Sequence, residues 1–303
     1  MNPKNISTIV NLVHQKNSLQ SKMIKSVIAN QDHVYEEKLE YFLGKLFLFL
    51  DIKGIKLEYV VDSYLKMCQE MFLEQIKFKK TGFYSCQKAS DANRLVYSNK
   101  EKMTSYMYGL ALSQFFWPNH YTIYNFFINE SSKLTNVKSF LEVGPGHGLF
   151  LAESLKLFSH SQFKAVDISP ISIKISQEIV KHFVPNSRVC QFEVQDVKNI
   201  GQGRYDYIVM CEVLEHLDSP SHIMKNIYNL LSSNGHLFIT TCANCPAVDH
   251  VYLYKNLKHI RQEIKLAGFK IVSDLPLSVD DCSIVNSENE NIALNYAAML
   301  YKE

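Results

Sequence analysis

Apolar positions change their spacing once along the chain. Up to about residue 135 they recur every three or four residues, as in "EEKLEYFLGKLFLFLDIKGI" and "LEYVVDSYLKMCQEMFLEQIKF". That period predicts helices with one buried stripe. Gly54, in "DIKGIKL", is the expected stop between them. A third segment, residues 100–131, is rich in aromatics and must break or kink at Pro118. From about 137 the texture is different. Short apolar runs alternate with helical patterns: "SFLEVG" with "LFLAESLKLF", "FKAVDIS" with "ISIKISQEIVKHF", then "VCQFEVQD". "YDYIVMCEV" is followed by "PSHIMKNIYNLLSSNG", "HLFITTCA" by "NLKHIRQEIKLAGF", and "KIVSDLPL" and "IALNYAAML" complete the set. Strand–helix alternation predicts an α/β fold, a mostly parallel sheet with helices on both faces. Ligands of such sheets bind beyond the carboxyl ends of the strands. The expected division is a helical region, 1–135, and an α/β region, 136–303.

Composition narrows the partners. The chain has 303 residues, 47% hydrophobic and 20% charged, with a formal net charge of +2. That balance gives no field for nucleic acid or an anionic membrane surface. The most apolar early run, "YFLGKLFLFL", spans ten residues and includes Lys45. A bilayer needs roughly 20 apolar residues, so this run reads as a buried helix. No secretory signal is read in "MNPKNISTIVNLV". Seven scattered cysteines suit a reducing cytoplasm, the expected location. Cys242 and Cys245 have CxxC spacing, but a closed zinc site wants four ligands, and the pair reads as ordinary thiols.

"LEVGPGHGLF" places Gly144, Gly146 and Gly148 between a strand and a helix. Glycine accepts the positive φ of a tight turn and lets a ligand approach the backbone. The following helix start favours nucleotide-like ligands. Asp167 ends the second strand, 19 residues after Gly148, where a carboxylate can hold ribose hydroxyls. A dinucleotide pattern would put Gly or Ala at 149, which is Leu149. Asp196 ends the third strand and can accept from an exocyclic amine.

In order and spacing, "LEVGPGHGLF", "AVDIS", "VQD" and "YDYIVMCEVLEHL" resemble the first four motifs of the class I S-adenosylmethionine-dependent methyltransferases. The resemblance covers about residues 137–303. It implies a seven-stranded Rossmann-like sheet with an antiparallel end, S-adenosyl-L-methionine as cofactor, and a helical cap with a substrate role over 1–135. By position it assigns Glu142 to support of the turn, and Gly144, Gly146 and Gly148 to passage of the methionine part. Asp167 falls to the ribose, with Ile168 beside it as a further cofactor-binding residue, Asp196 and Val197 to adenine, and Glu212 to the methionine end.

The implied chemistry is in-line transfer of a methyl group to the oxygen, nitrogen or carbon of a small acceptor, partly aromatic or carboxylated. Alignment of the reacting groups contributes much of the rate. A base is needed where the acceptor must lose a proton, and histidine is the usual one. His216, His250 and His120 are the candidates; His147 is expected to act through its backbone. His216, Glu215, Asp249 and His250 together could hold an ion, as in superfamily members that methylate 2-oxo acids at carbon, but their spacing is not diagnostic and no resident metal is expected. Tyr106, Tyr108, Phe115, Phe116, Trp117 and Tyr121 read either as core or as a lid over an apolar acceptor pocket. The fourth strand is followed by Cys211, Glu212 and Val213, not by the Asn/Asp-Pro-Pro-aromatic motif of base-methylating enzymes, which disfavours nucleic acid. A nicotinamide-dependent oxidoreductase and a cofactor-binding protein without turnover are the competing readings. The expected partner is a small-molecule acceptor, with no nucleic acid and no membrane; a homodimer is kept open.

Overall fold

The computed structural model describes residues 4–187, 189–201, 203–280 and 282–303. Residues 4–131 are mainly helical: α1 (Lys4–Lys16), α2 (Ser18–Ala29), α3 (His33–Lys53), α4 (Leu57–Thr81), the short α5 (Ala89–Ala92), α6 (Lys100–Phe116) and α7 (Pro118–Ser131). Local chemistry sets the ends. Asp32 accepts the Tyr35 N–H at the start of α3, and Gly54 ends that helix with φ 66°, a left-handed cap that glycine adopts without a Cβ clash. Pro118 opens α7 at a position whose N–H has no helical partner, so it separates two helices and does not kink one. Between α5 and α6 lies a π-helical turn, Asn93–Tyr97, that the periodicity did not foretell.

The remainder forms one seven-stranded sheet. Its strands are β1 (Ser139–Val143), β2 (Gln162–Asp167), β3 (Cys190–Val194), β4 (Tyr205–Cys211), β5 (Leu231–Ala243), β6 (Lys270–Ser278) and β7 (Leu294–Tyr301). Their order is β3-β2-β1-β4-β5-β7-β6. β7 runs antiparallel to both its neighbours, and every other pair is parallel. The connecting helices are α8 (Leu149–Leu157), α9 (Pro170–Phe183), α10 (Pro220–Leu230), α11 (Leu257–Leu266) and α12 (Ile284–Asn289). All seven strands expected from the alternation are present; α12 was not anticipated. The order reverses between β1 and β4, and that switch point fixes where a ligand lies.

Successive strand residues point to opposite faces, and both faces are buried, as in parallel sheets. Phe140, Phe163, Tyr207 and Phe238 enter one core together with Phe115 and Phe127 of the helical region. Leu141, Ile208, Met210 and Ile239 enter the other, against Ile227 of α10 and Ile260 of α11. The residues before and after 135 therefore share the first core. Aromatic contacts stitch them: Phe127 meets Phe238 at 5.0 Å and Phe150 at 4.9 Å between ring centroids.

Candidate active site

The glycine turn after β1 is built as its residues require. Gly144, Gly146 and Gly148 have φ values of 68°, 51° and 77°. Two of them are glycine for packing as well. A Cβ on Gly144 would lie 2.8 Å from Val213 Cγ2, and one on Gly148 2.8 Å from Val180 Cγ2 and 3.3 Å from the Ser176 carbonyl. The missing side chains at 144 and 148 thus face protein; the Cβ direction of Gly146 faces Leu110 of the cap at 3.6 Å. His147 contributes more than backbone. Its buried imidazole accepts the Leu149 N–H through Nδ1 at 3.1 Å and so caps the start of α8. Burial, with the nearby His120, holds it down to about 3. Glu142 lies under the turn, buried, and burial raises its carboxyl well above the usual range. Its Oε2 has no hydrogen-bond partner, so that oxygen does not brace the turn.

At the ends of β2 and β3 the acids are tied down by their own loops. Asp167 accepts the Ser169 N–H at 2.8 Å and the Ser172 hydroxyl at 2.7 Å. Burial raises its carboxyl and these bonds oppose the rise. Each oxygen keeps a second lone pair for a ribose hydroxyl. Asp196 accepts the Lys198 N–H at 2.9 Å and caps the turn Val197–Asn199. The Gln195 N–H donates to the Asp167 carbonyl, joining the two strand ends. Ile168 is exposed, and Val197 is buried.

The ends of β4 and β5 are arranged differently. Glu212 follows β4 with φ 50°, a conformation side chains rarely hold without compensation. The compensation is its N–H, which donates to both the carbonyl and the hydroxyl of Thr240. Burial raises its carboxyl well above the usual range, and the adjacent Glu215 adds to the rise. Glu215, pushed up to about 7 by burial, accepts from the Thr241 hydroxyl at 2.8 Å, while its Oε1 has no partner. Asp249 is fully buried with an unpartnered Oδ1. No lysine or arginine among the described residues forms an ion pair with Glu212, Glu215 or Asp249.

Here the helical region enters the site. Tyr97, at the end of the π-helical turn, donates its hydroxyl hydrogen to Asp249 Oδ2 at 2.9 Å and lies 2.8 Å from His216 Nδ1. Its backbone carbonyl accepts from the Ser169 hydroxyl at 3.0 Å, beside Asp167. The Asp249 carbonyl is 3.0 Å from the same His216 nitrogen. A carbonyl only accepts, and the tyrosine hydrogen is committed to the carboxylate. His216 Nδ1 therefore carries the imidazole hydrogen, and Nε2 keeps its lone pair. Tyr106 of α6 sits near the same acids, which with burial raise its phenol well above the ordinary value.

The three candidate histidines are thereby sorted. His216 and His250 are neighbours, 4.8 Å between ring centroids. His250 is buried, donates through Nδ1 to the Cys245 carbonyl at 2.6 Å, and is held down to about 4 by burial. His120 stands apart, on the glycine-turn side. Its Nδ1 is 3.1 Å from the Ser113 hydroxyl, its ring packs on Trp117, and burial lowers it to about 4. Its neighbour Asn119 donates to Ser278 and Asn295, which docks α7 on β6 and β7. Tyr97 had no signal in the sequence; its pairing with Asp249 spans 152 positions.

Comparison with known proteins decides the family. The profile of a methyltransferase domain matches residues 122–274, just over half of the chain. The chain belongs to the class I S-adenosylmethionine-dependent methyltransferases. Among curated relatives, this methyltransferase is similar to malonyl-[acyl-carrier protein] O-methyltransferase 1 of Ilyobacter polytropus, 31% identical over 119 residues, which are 39% of this chain and 42% of that one. It is similar also to the ubiquinone biosynthesis O-methyltransferase of Xanthomonas oryzae pv. oryzae, 32% identical over 110 residues, 35% of this chain and 44% of that one. The methyltransferase thus spans less than half the length of the curated relatives it matches. In fold it is similar to Haemonchus contortus phosphoethanolamine N-methyltransferase 2 in complex with S-adenosyl-L-methionine, with a TM-score of 0.52 at 12% identity, over 72% of this chain and 60% of that one. The nicotinamide reading is set aside by the family. No helix among the described residues is long and apolar enough to cross a membrane.

Proposed function

We propose that this methyltransferase moves a methyl group from S-adenosyl-L-methionine to an ionisable oxygen of a small acceptor, with His216 as the base. The observation that carries the reading is the Tyr97–Asp249–His216 chain of hydrogen bonds, which leaves Nε2 of His216 as the unprotonated nitrogen at the switch point of the sheet. The residues present fit the cofactor. The positive-φ turn, Asp167 with spare acceptor capacity and Asp196 at the next strand end suit an adenosyl group. Buried Asp249 and the half-buried Glu212, which pair with no lysine or arginine among the described residues, suit a cationic ligand. When bound, the sulfonium supplies the activated methyl group.

The chain's own groups then have these tasks. Asp167 and Asp196 orient the adenosyl part, and Glu212 faces the cation. Asp249 and Tyr97 hold the His216 ring in one tautomer, so that Nε2 takes the proton of an acceptor hydroxyl; a carboxylate acceptor has no proton to lose and needs the ring only for placement. Tyr97 and Tyr106 shield this point from water. That both named relatives are O-methyltransferases supports an oxygen acceptor. The test is calorimetric titration with S-adenosylhomocysteine, followed by transfer of tritiated methyl to phenolic and carboxylate acceptors. Absence of binding at millimolar product overturns the reading. Transfer confined to amines or carbon acids overturns the choice of oxygen.

A further inference from the structure

Glu215, Cys242 and His250 have no part in the proposed proton transfer through His216, yet they converge. One ligand-capable atom from each lies within 4.8 Å of the others, and all three residues are at least nine-tenths buried. We propose that they hold a thiophilic divalent ion of the zinc class, under the floor of the site.

Three observations carry this. The first is distance. Zinc bonds of about 2.3 Å to sulfur and about 2.05 Å to nitrogen, at the ~109° angle of a tetrahedron, put those ligand atoms about 3.6 Å apart. Cys242 Sγ and His250 Nδ1 are 3.8 Å apart. The second is an unmet need. Glu215 Oε1 is buried with no fixed donor against it, and its neighbour Glu212, also a carboxyl, can meet it only by holding a proton, while Oε2 is satisfied by Thr241. Burying an uncompensated carboxylate is costly, and an ion at Oε1 removes the cost. The third is a rigid frame. Cys242 stands in β5 opposite Asn295 of β7, and the Glu215 carbonyl accepts the N–H groups of Val251 and Tyr252 at 2.8 and 2.9 Å. The ligands therefore come from elements already fixed against one another. The second cluster that includes His250, with His216 and Asp249, is less suited: Tyr97 already bonds both partners.

Sulfur, imidazole and one carboxylate favour zinc over calcium or magnesium. Binding releases to solvent the Cys242 thiol proton and whatever proton Glu215 holds. The imidazole hydrogen moves from Nδ1 to Nε2, the Cys245 carbonyl gives up its donor, and no redox change occurs. The ion would pin the loop after β5, which carries Asp249, so its part is positioning. The proposal stands independently of methyl transfer.

The test measures metal in the intact chain, expressed with zinc and purified without chelator, together with the absorption of the cobalt-substituted form. Expected are roughly one equivalent of zinc and a thiolate-to-cobalt charge-transfer band. Cys242→Ser should abolish the band and lower zinc affinity by more than about tenfold, as should Glu215→Gln, whereas Cys190→Ser keeps both. Circular dichroism confirms that each variant is folded, and the wild-type metal content is informative without any variant. A chain that takes up no zinc or cobalt overturns the proposal. So does a band that survives Cys242→Ser, or zinc lost on His216→Gln and retained on Cys242→Ser. S-adenosylhomocysteine binding to the chelated protein is read separately, so a failed metal site and a failed methyltransferase assignment give different results.

Discussion

The two halves of the sheet's carboxyl edge handle negative charge in opposite ways. At the ends of β2 and β3, Asp167 and Asp196 accept hydrogen bonds from N–H and hydroxyl groups within five positions. At the ends of β4 and β5, Glu215 and Asp249 keep unpartnered oxygens, and among the described residues no lysine or arginine pairs with them or with Glu212; the imidazole of His216 lies 3.6 Å from Asp249. The first half is complete as folded and can receive a neutral, hydroxyl-rich group with little rearrangement. The second is electrostatically unfinished. Buried carboxyls without compensation are costly, so this half is where binding a cation is most rewarded. A cofactor neutral at one end and cationic at the other matches that gradient.

The contrast can be broken most forcefully at His216. His216→Gln should lower turnover by about 100-fold or more, since it removes the base, while leaving product affinity within about threefold. Equal losses in both would place His216 in binding and dissolve the division of labour. Next comes the rigidity of the glycine half. Gly148→Ala forces a side chain into φ 77° and against Val180, and should cost about 2–4 kcal/mol in urea unfolding. A variant as stable as the parent would show that the turn relaxes freely.

A third measurement uses acid. His147 is held down to about 3 in the folded chain, against an ordinary imidazole value of about 6.5. Its folded form binds fewer protons than its unfolded form, so stability is lost as pH falls from about 6.5 toward 3. His147→Asn keeps an acceptor for the Leu149 N–H and has no such loss. Its stability relative to the parent should therefore rise by about 2–3 kcal/mol between pH 7.5 and 4.5. A gap that stays flat with pH would mean that the imidazole is wet. The smallest effect is expected at Asp167. Asp167→Ala should weaken S-adenosylhomocysteine by about 1–3 kcal/mol, because the carboxylate already serves its own loop and lends only spare lone pairs. Unchanged affinity would remove it from the site.

What could be read in the sequence was local. Strand–helix alternation, the positive-φ glycines and the strand-end acids are each specified within a few residues, and all are where the pattern puts them. The break at Pro118 and the stop at Gly54 were legible for the same reason. The wet-or-dry fate of a side chain was not. His147 was expected to act through its backbone, yet its ring caps α8, because Phe150 and the cap bury it. Gly144 and Gly148, expected to clear a path for ligand, have a second reason to be glycine that the motif does not announce: their bare Cα positions accommodate Val213 and Val180. The choice among three histidines rests on Tyr97, whose partner His216 lies 119 positions away. No periodicity encodes such a pairing, and the π-helical turn that aims Tyr97 has no composition of its own.

Phe140, Phe163 and Phe238 line the sheet face that Phe127 and its neighbours cover. Trimming the chain at 135 to obtain a minimal fragment would strip that wall and leave an oily aromatic panel facing water. Such a fragment would clump with its own copies, and it would lack the tyrosine that sets the tautomer of His216.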